Sequence, residues 1–166
     1  MARNLNKSYA RPSASGPGTV NYRAPDLTRH PPRSPRSMLG GYAHLPRLLD
    51  KARAVAAAKA GEFHYNCPFD QKFFEFTGLD HKAFMAEIRK GKSDSEMLAY
   101  VRKKSRRKPF EIAAWSEGMG RWVPTVPDSR DFFSKIHRQN APKRDDIATW
   151  FDWLELDDYV TYGGRP

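Results

Sequence analysis

Cys67 lies three residues after His64 and three before Asp70 in the segment HYNCPFD. A thiol just ahead of a helix sits near backbone N–H groups and a positive helix end, which favour the thiolate. This set therefore suggests a reactive thiol or a His-Cys-Asp metal site. The plainer reading is that a lone cysteine packs as a small apolar side chain. No second cysteine exists to resolve an oxidised one, so neither an internal disulfide nor a site of two thiolates can form.

A second group falls on one helical stretch. Arg47, Asp50 and Lys51 are spaced so that their side chains meet, and Asp50 can orient Arg47 or Lys51 toward an anion. Ordinary surface pairs, worth tenths of a kcal/mol, account for the same residues. A third group is the cationic run RKKSRRK. Within it Arg102, Lys103, Arg106 and Arg107 form an anion-binding candidate, with Lys103, Arg106 and Arg107 expected to project outward. No zinc finger or RNP-like segment accompanies the run. The acids from Asp145 to Asp158 lack EF-hand spacing, and pairing with the cationic run is their simplest use. Trp115, Trp122, Trp150 and Trp153 read as core before ligand cage.

The elements that must position these groups read as helices. Leu45, Leu48, Leu49, Ala52 and Ala56 form one stripe and predict a helix over 45–59 stopped by Gly61. Ala54, Ala57 and Ala58 on the other side suggest that the preceding proline segment covers it. Asp70 is expected to cap a short helix bearing Phe73, Phe74 and Phe76 up to Gly78, and Asp80 the next helix, up to Gly91. Ser93-x-x-Glu96 is a capping box. Further helices should start at Pro109, carrying Phe110, Ala113 and Ala114, and at Asp128. A last one over about 143–155 should bury Ile147, Trp150, Phe151 and Leu154, with at most a short strand near 159–162.

Composition bounds the rest. Seven of the basic residues lie within the first 36 positions against one acid, so most of the +10 net charge belongs to an N-terminal arm. The division expected is a disordered basic tail over 1–24, an extended Pro/Arg-rich arm over 25–44, and a helical domain over 45–166. In the arm, a three-residue period puts Arg33 and Arg36 on one side, and Pro32 and Pro35 make a proline-x-x-proline match. The arm either docks on an aromatic groove elsewhere or lies across its own domain, anchored by Met38, Leu39 and Tyr42. No apolar run approaches the ~20 residues of a membrane span, and no secretory h-region follows the first arginines. A cytoplasmic protein is expected. The Arg- and Ser-rich start also has some features of an organelle transit peptide, although its prolines and glycines interrupt the helix such a segment needs.

The stretches APDLTRHPPRSPRSMLGGYAHLPRLLDKARA, YNCPFDQKFFEFTG and DIATWFDWLELDDYVTYGG together resemble a bacterial family known only as domain of unknown function 5069, over about Pro25 to Gly164. The resemblance implies a bacterial cytoplasmic setting and brings no activity, cofactor or catalytic residue. The reading is then an all-α fold of about six short helices around one aromatic core. Its function is that of a binding or adaptor module, without cofactor or metal, whose basic surface engages RNA, a ribonucleoprotein or an acidic protein face. The rival is a small enzyme or metal-binding protein using Cys67, His64 and Asp70, perhaps with Arg47 and Asp50. Convergence of these residues in a concave pocket would separate the two.

Overall fold

A computed structural model describes residues 24–166. The expected disordered tail therefore lies outside the described residues, as does any transit segment within it. Seven helices follow a two-stranded hairpin: β1 (Met38–Leu39), β2 (Tyr42–Ala43), α1 (Leu45–Ala56), α2 (Pro68–Thr77), α3 (His81–Arg89), α4 (Asp94–Ser105), α5 (Pro109–Gly120), α6 (Pro127–Asn140) and α7 (Trp150–Thr161). The all-α expectation holds, with one helix more than about six and a hairpin that the sequence reading did not include.

The hairpin pairs Met38 with Ala43 and Leu39 with Tyr42, antiparallel. Its two-residue loop is Gly40-Gly41, with φ +61° and +90°. Two positive φ values in succession match the twist of the strands and exclude most side chains. Gly40 also packs so closely on Leu98 that a Cβ there would stand 2.4 Å from a Leu98 methyl.

α1 is the central element. Leu45, Leu48, Leu49 and Ala52 join Tyr42, Phe73, Phe84, Met97 and Val101 in the main core. The charged flanks of α1 are inside as well: Arg47, Lys51 and Arg53 are each 2–3% exposed and Asp50 is 7% exposed. The chain from 24 to 37 accounts for part of this cover. Leu27 N–H bonds to Lys59 O at 2.9 Å, Pro32 and Pro35 are buried, and Tyr162 Oη donates to Leu27 O at 2.5 Å. The arm thus crosses its own domain. Ala54 is buried, while Ala57 and Ala58 are exposed beyond the end of α1.

Several local expectations need correction. Cys67, not Asp70, is the N-cap of α2, and Asp70 sits at the third helical position, where its carboxylate accepts from Cys67 N–H at 3.3 Å. The last helix begins at Trp150, not near 143. Thr149 and Asp152 form a reciprocal box that starts it, and it continues through 159–161, where at most a short strand was expected. In α5 the buried residues are Ile112, Ser116 and Met119, while Phe110, Ala113 and Ala114 face out. Arg33 and Arg36 do not share a side, because the chain turns at Ser34, with Ser37 N–H bonded to Ser34 O at 3.0 Å.

Candidate functional site

Two assemblies hold the residues singled out by chemistry. The first is a charged layer around α1, in which each guanidinium or ammonium meets an acid from a distant part of the chain. Arg33 binds Asp50 through two side-chain nitrogens, at 2.7 and 2.8 Å, and reaches Asp94 at 2.6 Å. Arg53 meets the other Asp94 oxygen at 2.5 Å. Arg47 holds Asp158 bidentately at 2.6 and 2.9 Å, beneath the Phe63 ring. Lys51 Nζ lies 2.8 Å from Asp70 Oδ1 and 3.1 Å from Cys67 Sγ, and it also donates to His64 O at 3.2 Å.

His44 completes this layer. It occupies the left-handed region at φ 64° and places Nε2 2.9 Å from Asp70 Oδ1. Desolvation holds its imidazole below the ordinary histidine range, against the pull of Asp70. A neutral ring that donates from Nε2–H leaves Nδ1 as a bare acceptor, and Nδ1 has no partner. Burial alone would raise the Asp70 carboxyl, but the bond from His44 and the charge of Lys51 outweigh it and hold the group below the usual range.

Of the residues expected to share a pocket, Cys67 and Asp70 do meet, on Lys51. The His64 side chain is exposed, and only its carbonyl reaches the cluster. Asp50 and Arg47 are bound to Arg33 and Asp158 instead. Among the described residues, no three His, Cys, Asp or Glu side chains stand together as metal ligands. The three Lys51 N–H donors are matched by Asp70, Cys67 and His64 O, which is how an interior ion pair is satisfied. This geometry locks α1 to α2.

The second assembly is a cleft of about 900 Å³ along α5, within the size range of ligand-binding clefts. One wall is α5 itself, with Pro109, Ile112, Ala113, Ser116, Glu117 and Gly120. The other is made by Met38, Gly40, Gly41 and Ala43 of the hairpin, with Phe151 of α7. Ser116 ties the walls together, because its Oγ accepts from Ala43 N–H at 3.0 Å and donates to Gly41 O at 2.8 Å. Arg36, Arg102, Arg107 and Arg121 border this apolar floor, against the single acid Glu117.

Those four arginines are held to different degrees. Arg36 pairs with Asp152 and Glu155, and lies over the Phe151 ring. Arg107 pairs with Glu111 at 3.2 Å, donates to Phe76 O at 2.8 Å and stacks on Phe76, which also lies parallel to Trp115 at 4.8 Å. Among the described residues, Arg121 makes only an exposed pair with Glu117. Arg102 has no ion pair among the described residues. Beside it, Lys103 and Arg106 are exposed and equally without an ion pair there.

Of the basic run, Arg102 and Arg107 thus line the cleft, while Lys103 and Lys104 border a separate groove with Glu87, Lys92 and Glu96. The supposed pairing of this run with the acidic C-terminal segment does not occur. Asp152 and Glu155 serve Arg36, and Asp158 serves Arg47. Arg36, Arg121 and the glycine-bearing walls escaped the sequence reading. The available signal was Gly40-Gly41 between MetLeu and TyrAla, a two-residue hairpin mark.

Among the described residues, no helix is long and apolar enough to cross a membrane. No curated protein matches the chain. A family profile matches residues 29–160, a span that takes in both the charged layer and the cleft, and the chain therefore belongs to the family described as domain of unknown function (DUF5069).

Proposed function

We propose that this chain is a non-catalytic cytoplasmic binding module whose arginine-bordered cleft receives an anionic partner, an acidic protein face in preference to RNA. The carrying observation is the combination on α5: an apolar floor about as long as the helix, four guanidinium groups around it and one opposing carboxylate. Charged corners over an apolar centre favour a partner that brings carboxylates at its rim and aliphatic side chains between them. The candidate residues Arg102 and Arg107 line this cleft. Arg47, Asp50 and Asp70 are held in ion pairs and the Cys67 thiol lies against Lys51, a bonding pattern that supports a structural role for them over the enzyme reading.

One observation favours RNA as a second reading. Lys103, Lys104 and Arg106 are exposed without an ion pair among the described residues, and a cluster of such cations suits phosphates. A photo-crosslinking residue at Ala113, in the cells the protein comes from, tests both. A protein adduct that disappears with Arg102→Glu is the expected result. An RNA adduct would replace the first reading with the second. Labelling no stronger than from an exposed control such as Ser95 would overturn the role of the cleft.

A further inference from the structure

Resting on that reading, we infer that the occupant of the cleft is an acidic amphipathic helix, about three turns long, laid along α5. The floor supplies the first argument. Pro109, Ala113, Ser116 and Gly120 recur at helical spacing, so they form one stripe over the whole length of α5, about 18 Å. All four are small; Ser116 is buried against the hairpin, and Pro109, Ala113 and Gly120 leave room for a second helix to approach closely.

The glycines supply the second. Gly118 and Gly120 lie in α5 with no left-handed backbone, and a Cβ at either would meet nothing within 4 Å. Neither turn geometry nor internal packing calls for glycine there, although glycine weakens a helix relative to alanine. At Gly120, which lines the cleft, close approach of an external backbone accounts for the missing side chain.

Charge and backbone chemistry supply the third. Arg107 precedes α5 and Arg121 follows it, each in a solvent-accessible pair with an acid of α5, and Arg102, without an ion pair among the described residues, stands by Gly40 on the opposing wall, so carboxylates of a docked helix find guanidinium groups at both ends of the cleft. An extended peptide would bring unpaired N–H and C=O groups to an apolar floor with few partners for them. A helix satisfies its own backbone. An RNA strand would need exposed rings for stacking, and the Phe151 ring in the cleft is only 1% exposed and lies under Arg36.

The test is selection from a fully randomised 16-residue display library on the full-length protein. It is paired with counter-selection on Ala113→Trp, which fills the cleft, and on Arg102→Glu. Both substitutions are at exposed positions, and unchanged thermal unfolding verifies that the fold is intact. The expected peptides carry Asp or Glu together with small or aliphatic residues at three- and four-residue spacing, gain helical circular dichroism on binding, and bind at least tenfold more weakly to either variant. Gly120→Leu should weaken them to a similar degree. Acidic peptides with no helical spacing, or with no gain of helix, would overturn the helical occupant and leave the anionic cleft standing. A library that yields nothing sensitive to Ala113→Trp or Arg102→Glu would overturn both.

Discussion

Lys51 and Asp70 are the residues on which the interior can be probed most directly. Asp70 has no exposed surface and Lys51 almost none, so Lys51→Met strands a carboxylate in a low-dielectric site. Loss of one partner of such a pair costs about 3–5 kcal/mol, to be read from urea unfolding. A cost under about 1 kcal/mol would mean that water reaches Asp70. His44 gives a pH signature. Its folded-state pKa is depressed, so the unfolded chain binds more protons below about pH 6.5, and stability should fall as pH drops from there. Asp70 and Asp94 are also depressed, so a second, steeper loss belongs below about pH 4, where the unfolded carboxylates take up protons first. Half-buried Asp157, raised by desolvation and by Asp158, acts in the opposite sense. Thermal unfolding across pH checks this. His44→Asn, which tolerates the left-handed backbone, should lower stability at pH 7 but flatten the slope between pH 5 and 6.5.

At the scale of elements, two glycine substitutions should move stability in opposite directions. Gly118→Ala adds a methyl in open space to a helical backbone and should gain about 0.5–1 kcal/mol. Gly40→Ala forces a Cβ into the left-handed loop against Leu98, and should cost about 1–3 kcal/mol. Denaturant midpoints measure both. The same elements separate what the sequence made legible from what it hid. Ser93 and Glu96 do bond reciprocally, at 3.2 and 2.8 Å, Asp80 does accept from Ala83 N–H, and Gly78 does end α2 in the left-handed region. Such signals are local, since cap and backbone group lie within four residues. The orientation of α5 was not legible. With apolar or small residues on both faces, PFEIAAWSEGMG has no marked polar side, and only the hairpin opposite decides that Ile112 and Met119 go in. Nor did a charged α1 read as buried, because helical spacing relates Arg47 to Asp50 and Lys51, whereas its partners Asp158 and Arg33 are distant in sequence. The same blindness divided the candidate site: the local run Arg102 to Arg107 was found, and Arg36 and Arg121, which only the fold brings to it, were not.

For the molecule as a whole, the arm and α1 take up Asp50, Asp70, Asp94, Asp152, Glu155 and Asp158, while Arg102, Lys103, Lys104 and Arg106 have no ion pair among the described residues. Binding of random single-stranded RNA should therefore be weak and indifferent to sequence, and it should weaken steeply with salt, by about 0.7 in log-log slope for each phosphate contact. Fluorescence anisotropy from about 50 mM salt upward measures it, and changing Lys103, Lys104 and Arg106 to Gln should lower the slope by up to about two. A marked preference for one RNA sequence would contradict the protein-binding reading. The charged layer around α1 has one more consequence, for the order in which the chain comes apart. α7 closes on Arg47 through Asp158, and α2 closes on Lys51 and His44 through Asp70. Peeling either helix away exposes an uncompensated interior charge on α1, so partial opening costs nearly as much as complete unfolding. The slowest-exchanging amides of α1, α2 and α7 should then share one opening free energy and one urea dependence, a single cooperative foldon, whereas α6, bound chiefly to α7 and without such pairs among the described residues, should exchange through smaller openings. In this protein the C-terminal helix is a keystone and not a detachable latch.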